Sequence, residues 1–363
     1  MQSEWGRKLH TAVFGASHRP EIGVRIEGLK KGLPIDLDAL QSFLNRRAPG
    51  TATGSTPRKE PDRLLIRSGI QNGFTDGEPF VAVIENTNFD SAPYEAYRDV
   101  PRPSHIDYPA RLRFGDGVDL AGGGHFSGRM TAAYCIAGGI AYQQLSRIGV
   151  TIAAHLLSVG DVFDDPIDPV DPDPEALRAV SRKAFPVLND DKGLLMQQRI
   201  RTVAAEGDSI GGTIECAVVG FPKGHGTPLF DGIDSRLASL LFAVPAVRGV
   251  AFGSGFHAAN MRGSEHNDPY RLVDGEVKTE TNRHGGLIGG ISTGMPIVFT
   301  VAVKPASGVA QPQKTLNLKT GKQETLTVSG RHDACIAVRA VPVIEAVTAL
   351  ALYDLLSEEE DAE

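Results

Sequence analysis

Four short segments set proton carriers and fixed cations beside glycine and serine. They are Gly15-Ala16-Ser17-His18, Arg102-Pro103-Ser104-His105-Ile106-Asp107, Gly122 through Arg129, and Gly330-Arg331-His332-Asp333. Histidine exchanges protons near neutral pH. Arginine grips phosphate or carboxylate with a two-pronged fork whose charge is permanent. Glycine lets backbone amides lie open to an anion. Together the segments point to an anionic substrate and to proton transfer. Ser17 beside His18, with an aspartate far downstream, also raises a hydrolase triad. Those two residues are adjacent and no GxSxG elbow is present, so that reading carries little.

Regular elements must hold these segments. Residues 24–29 and 80–86 alternate apolar and polar side chains, the pattern of half-buried strands. Residues 36–47 place Leu37, Leu40 and Leu44 at helical spacing behind Asp36, a helix cap. That helix ends on Arg46 and Arg47, cations that complement its dipole, and Pro49-Gly50 stop it. Residues 128–149 read as a buried helix fed directly by the GGGHFS loop, a ready anion site. The acidic, proline-rich stretch 161–174 reads as an exposed loop, 175–205 as helix, and 213–219 and 296–303 as strands. Residues 304–332 read as loop, and 342–356 as a helix opened by Pro342. The acidic tail 357–363 is expected to be disordered. Strands and helices come in blocks rather than as regular βαβ units, so the fold class is α+β. No linker separates two units, and 1–363 is read as one domain.

Composition narrows the function. The chain has 363 residues, 41% of them apolar and 22% charged, values typical of globular proteins. The apolar stretch 237–256 is broken by Pro245, Arg248 and glycines, so it does not supply the roughly 20 residues of a spanning helix. The N-terminus lacks the apolar core of a signal peptide. Cys135, Cys216 and Cys335 are widely spaced with no CxxC pair, which fits a reducing cytoplasm and neither a disulfide framework nor a metal cluster. The net charge of −7 argues against nucleic-acid binding. Glycine, at 41 residues, exceeds the average of about 7%. It clusters at 122–128, 211–213 and 285–294.

The order and spacing of the motifs are specific. GASHRPEIG is followed by Arg46-Arg47-Ala48-Pro49-Gly50, TPRKEPDRLLIRSGIQNGFTDGEP, ENTNFDS, RPSHIDY and AGGGHFSGRMTAA. Then come GDSIGG, VPAVRGVAFGSGF, GSEHNDP, TNRHGGLIGGISTGMPI, KPASG and GRHDACIAVRAVPVIEA. From Gly15 to Leu356 the chain resembles the chorismate synthase family. The resemblance implies a layered β-α-β core of antiparallel sheets with helices outside, a homotetramer, and Gly-rich loops lining one deep cleft. It implies a carbon–oxygen lyase of the shikimate pathway, eliminating phosphate from 5-enolpyruvylshikimate 3-phosphate to give chorismate. It also implies reduced FMN as cofactor without net redox change. No GxGxxG fold is present, so NADPH is expected to act only through an external reductase.

By resemblance, His18 is the acid at the departing phosphate, His105 controls flavin protonation, and Asp333 takes the ring proton. Ser17 and Ser127 supply hydroxyls to the same network. The family's flavin contacts fall on His125, Phe126 and Ser127, on Pro245 and Ala246, and on Gly289. They continue through Lys304, Pro305, Ala306, Ser307 and Gly308, and end on Arg331. Arg46, Arg47, Arg129 and Arg339 are the anion clamps; the Arg47 position is also a family NADPH contact.

The sequence departs from the family pattern at GASHR for GESHG, RPSHID for RPGHAD and AGGGH for RGGGR. Thr53 and Tyr134 stand where arginines are usual, as do Ala121 and His125. Arg19, with Arg111 and Arg113, is expected to offset the lost charge. Two alternatives use fewer of these residues: a paralogue that binds flavin or a phosphorylated ligand without this elimination, and a flavin-holding oligomer without chemistry. His18, His105 and Asp333 together favour the enzyme.

Overall fold

The computed structural model describes residues 1–48, 50, 62–87, 94, 96–328 and 333–360. The first sheet is antiparallel throughout. It is built from β1 (Gln2–Trp5), β2 (His10–Gly15), β3 (Glu21–Glu27), β4 (Leu65–Ser68) and β7 (Phe80–Glu85), in the order β1-β2-β3-β7-β4. A short hairpin, β5 (Ile70–Gln71) and β6 (Phe74–Thr75), interrupts the chain before β7. The alternation read in 24–29 and 80–86 is that of β3 and β7, paired from Ile26↔Phe80 to Glu21↔Glu85.

The second sheet is also antiparallel. It contains β8 (Thr151–Val159), β9 (Val162–Phe163), β10 (Gly212–Val219), β11 (Val247–Phe252) and β16 (Ile297–Val303), in the order β11-β16-β10-β8-β9. Three further hairpins lie outside the sheets: β12–β13 (Tyr270–Val273, Glu276–Thr279), β14–β15 (Leu287–Ile288, Ile291–Ser292) and β17–β18 (Gln313–Leu316, Gln323–Leu326).

Between the sheets lie α1 (Leu37–Arg47), α3 (Thr131–Arg147), α6 (Ile233–Ala243) and α8 (Ala337–Glu360). Helix α3 packs on β2, β3, β7 and α8, while α8 packs on β8 and β10. The layers are therefore sheet, helices, sheet around one shared apolar core. The large helices form the middle layer of the expected β-α-β arrangement, because both faces of α3 and α8 are apolar and need cover. Among the described residues, α4 (Pro174–Val180) packs on the outer face of the second sheet through Leu177, while α5 (Asp190–Ala205) lies against β8 and β9 with Met196 and Ile200 in the main core. The remaining helices, α2 (Asp107–Phe114) and α7 (Gly263–His266), belong to loops.

Helix α1 starts as read: the Asp36 side chain accepts from the Ala39 amide at 2.9 Å, a cap worth about 1 kcal/mol. Helices α3 and α8 approach closely at Gly138, where a Cβ would lie 2.2 Å from the Ala346 carbonyl oxygen. Helix α8 begins five residues before Pro342, which sits inside it, and continues through Ser357 to Glu360. The disordered tail is thus corrected as far as Glu360: Glu358 pairs with Arg236, and Glu359 with His225. Residues 361–363 lie outside the described residues. Helix α8 is the one described helix long and apolar enough to cross a membrane, but 94% of that window is buried inside the fold. The loop 161–174 is not wholly exposed, since Asp164 and Ile167 are buried.

Candidate active site

The SH turn, the GGGH loop, the start of α3, the start of α8 and the loops after α6 and β16 converge on one cleft of about 1240 Å³. Glycine creates the closest approach. Gly122 has φ +60°, and a Cβ there would lie 2.4 Å from the His18 ring and 2.9 Å from Ser17 Oγ. Next to it, a Cβ on Gly123 would be 3.4 Å from Ser127 Cβ and 4.0 Å from His105 Cε1. One loop therefore gathers Ser17, His18, Ser127 and His105. Asp333 lines the same cleft, in the segment that leads into α8.

His105 is held from one side. Its Nδ1 lies 2.8 Å from Asp107 Oδ1, and Arg102 grips that same carboxylate with Nε and Nη2 at 2.8 and 2.7 Å. Burial alone would raise the Asp107 pKa. The hydrogen bonds from Arg102 and His105 outweigh it and keep the carboxyl far below its usual range. An ionised Asp107 fixes the Nδ1–H tautomer and leaves Nε2 uncommitted. His18 stacks edge-on against Tyr94, with ring centres 5.0 Å apart. Arg102 in turn lies over the rings of Tyr94 and Tyr97.

Three of the four proposed clamps line the cleft as a paired cluster. The Asp62 carboxylate accepts from Arg47 Nη1 on one oxygen and from Arg129 Nη1 on the other. Arg47 also donates Nε to Thr131 Oγ1 at 3.0 Å, and Arg129 donates Nε to Asn86 Oδ1 at 2.9 Å. Arg339 donates to the Arg47 carbonyl at 3.1 Å and to Asp333 Oδ2 at 2.6 Å. Burial, followed by the Arg47 charge, lowers the Arg339 pKa despite Asp333. Asp62, Asn86 and Tyr94 were not singled out in the sequence. The only signal was their place inside quoted motifs, and a buried acid between two arginines has no spacing signature.

Pro245, Ala246, Arg248, Lys304, Ala306 and Ser307 also line the cleft. Lys304 Nζ donates to Ser307 Oγ at 2.9 Å and to the Pro305 carbonyl at 3.2 Å, with no carboxylate partner among the described residues. Burial and then the Arg248 charge lower the Lys304 pKa. Two cations without an acid mark a place for an anion. Ser104 and Ala246 line the cleft at positive φ, +55° and +77°, a strained conformation for residues with a Cβ.

Several expectations need correction. Arg46 does not reach the cleft; it forms a two-pronged pair with the fully buried Glu345 on α8. Arg19 points to solvent, 63% exposed, and pairs with Asp119 at 2.8 Å. Arg111 pairs with Asp116, and Arg113 lies over Phe114, so neither lines the cleft. Gly289, Pro305 and Gly308 are not among the lining residues. In the run 285–294, Gly285 packs on Gly253 and Gly290 on Thr227 and Gly232, while a Cβ on Gly289 would meet nothing within 4 Å. His125 and Phe126 do line it, with His125 Nδ1 2.8 Å from the Gly15 carbonyl and Nε2 2.9 Å from Ser3 Oγ. Tyr134 lines it too. Arg331, with Gly330, His332, Pro49 and Thr53, lies outside the described residues.

Comparison with known proteins gives one answer. A family profile described as Chorismate synthase matches residues 9–356. The chain is 42% identical over 350 residues to the chorismate synthase of Korarchaeum cryptofilum, covering 96% of each chain. It is 42% identical over 367 residues to that of Lancefieldella parvula, covering 98% of this chain and 96% of the relative. A crystal structure of chorismate synthase superposes with a TM-score of 0.76 at 25% identity, covering 98% of this chain and 93% of the other.

Proposed function

The chain belongs to the chorismate synthase family, and on that premise we propose that its cleft eliminates phosphate from 5-enolpyruvylshikimate 3-phosphate to give chorismate. The protein is thus a carbon–oxygen lyase of the shikimate pathway, which feeds aromatic amino acid biosynthesis. The observation that carries the reading is the gathering of His18, Ser17, Ser127 and His105 about Gly122–Gly123 in the cleft that also holds Arg47, Arg129, Arg339 and Asp333.

The substrate carries a phosphate and two carboxylates. Phosphate departure builds negative charge, which the arginine cluster stabilises without reorganising, since Asp62 and Asp333 already hold the guanidiniums in place. His18 donates a proton to the departing phosphate oxygen. The Asp333 carboxylate receives the ring proton. His105, tautomer fixed by Asp107, presents Nε2 to the cofactor side.

Reduced FMN fits this cleft. At about 1240 Å³ it exceeds the roughly 300–1,000 Å³ of a single-ligand pocket, leaving room for substrate and cofactor together. Lys304, Ser307 and Arg248 suit the flavin phosphate, and Phe126, Pro245 and Ala246 offer apolar surface to its ring. When bound, the flavin supplies transient electron density that is recovered as the ring hydrogen leaves. NADPH enters only through a separate reductase.

The homotetramer is supported by large apolar side chains left bare at Phe230, Phe256, Tyr270 and Leu272. A cytoplasmic setting fits three buried thiols without disulfides.

The test is anaerobic chorismate formation with pre-reduced FMN, followed by absorbance. Turnover is expected in the wild type, with losses of about 10²-fold or more in His18→Ala and His105→Ala. No chorismate from the wild type, or near wild-type rates in both variants, refutes the assignment.

A further inference from the structure

We propose that Asn86 is a positioning residue that joins the proton donor and one anion clamp into a single rigid unit; this rests on the roles given above to His18 and Arg129. Asn86 follows β7 directly and is buried, 6% exposed. Its Nδ2 donates to the Ala16 carbonyl at 3.1 Å and to the Arg19 carbonyl at 2.7 Å. Those two carbonyls bracket Ser17 and His18. Its Oδ1 accepts from Arg129 Nε at 2.9 Å. Its own amide donates to the Pro20 carbonyl at 2.8 Å.

The carboxamide orientation is forced. Reversed, the NH₂ would face the Arg129 N–H and the oxygen would face two carbonyls. All three polar functions are thus used in one plane. The Ser17–His18 turn is also tied from the other side, where the Ser17 amide donates to the Gly124 carbonyl at 3.1 Å. A side chain needed only to fill this space would not require two donors and an acceptor at these points. The network continues from Arg129 through Asp62 to Arg47, then through Arg339 to Asp333. Asn86 is the link at its His18 end. Misplacement of a reacting group by about 1 Å costs on the order of 10²-fold in rate.

The test is Asn86→Asp, which keeps size and the acceptor for Arg129 but sets a carboxylate oxygen against the Ala16 and Arg19 carbonyls. Steady-state kinetics with pre-reduced FMN should show kcat down by about 10- to 100-fold and KM for the phosphoester changed less than about threefold, the pattern of an interaction felt in the transition state. A variant with both His18→Ala and Asn86→Asp should be no slower than His18→Ala alone, because the amide acts through His18. Wild-type kcat in Asn86→Asp, or losses that multiply in the double variant, overturn the proposal. If His18→Ala itself keeps the wild-type rate, the role of His18 falls and the proposal falls with its premise. Should Asn86→Asp not fold, Asn86→Gln moves every polar group out by one methylene. The same kcat loss is then expected, now with a rise in KM because the acceptor of Arg129 also moves, and a wild-type kcat there overturns the proposal.

Discussion

Replacing Asp62 by Asn removes the charge that two buried arginines share among the described residues. The Asp62 side chain is fully buried, and its arginine partners are only 5% and 7% exposed. Each carboxylate oxygen serves a different guanidinium. Asparagine offers one acceptor and turns an NH₂ donor toward the other arginine, leaving two buried cations with no counter-charge between them. Breaking a buried pair in this way costs about 3–5 kcal/mol. The pH dependence gives a second handle. Burial alone would raise the Asp62 pKa, but the charges of Arg47 and Arg129 outweigh it and hold it below its usual 3.8. A depressed folded pKa means the stabilisation is complete above the unfolded value and is lost as pH falls through the folded one. Urea unfolding followed by circular dichroism should therefore show the full gap between wild type and Asp62→Asn at neutral pH. The gap should close in strong acid, where the wild-type carboxyl is itself neutral. A gap under about 1 kcal/mol at pH 7, or one that persists undiminished in acid, refutes the reasoning.

Other outcomes follow from neighbouring sites. His155 is 1% exposed, with Nδ1 3.0 Å from Asp164 and Nε2 3.0 Å from Glu215; burial opposes its charge, but both carboxylates outweigh this and raise its pKa. Its stabilisation is present below about 6.5 and lost as pH rises through the folded value, so His155→Gln should cost about 3 kcal/mol in urea unfolding at neutral pH, with a gap that narrows in alkali; a constant gap refutes this. Arg19→Gly should leave KM for the phosphoester within about twofold, because an exposed pair with Asp119 contributes little; a tenfold rise would restore Arg19 as a clamp. Burial pushes the Cys135 thiol up to about 12 and the Cys335 thiol up to about 11, and Cys216 well above its usual value. Mass spectrometry after iodoacetamide at mild alkaline pH should find all three unlabelled in the native protein and labelled after denaturation; fast native labelling refutes this.

Local periodicity reveals what depends on local chemistry. The Asp36 cap, the β3 and β7 alternation and the α3 start behind the GGGH loop were readable because each rests on neighbours a few residues away. The hairpin β17–β18 was missed because 304–332 is polar on both faces, leaving no alternation to read. Helix α8 was begun too late because Pro342 looks like a first-turn proline, although tertiary burial carries the helix across it. The site was legible through motif order, which brought most of the named residues to one cleft. Arg46 and Arg47 show the limit. They are adjacent on α1, yet successive helical side chains diverge by about 100°, so one turns to Glu345 and the other to Asp62. Nothing in a run of two arginines says which one lines the cleft.

The departures from the family pattern bear on the same cleft. His125 and Tyr134, at positions where arginine is usual, have become hydrogen-bonding groups: His125 spans Gly15 and Ser3, and the Tyr134 hydroxyl reaches the Ala243 carbonyl at 3.4 Å. The cations that remain are not equivalent to those lost. Arg47, Arg129 and Arg339 share two carboxylates, Asp62 and Asp333, so the cluster keeps a positive balance while each guanidinium is held by a fixed partner. An arginine without a partner must be desolvated and ordered when an anion arrives, and that cost cancels much of its attraction. A pre-paired arginine has met both costs on folding. On the roles proposed above, the cleft keeps the two histidines, Asp333 and three acid-paired guanidiniums, while His125 and Tyr134 line it at positions where arginine is usual.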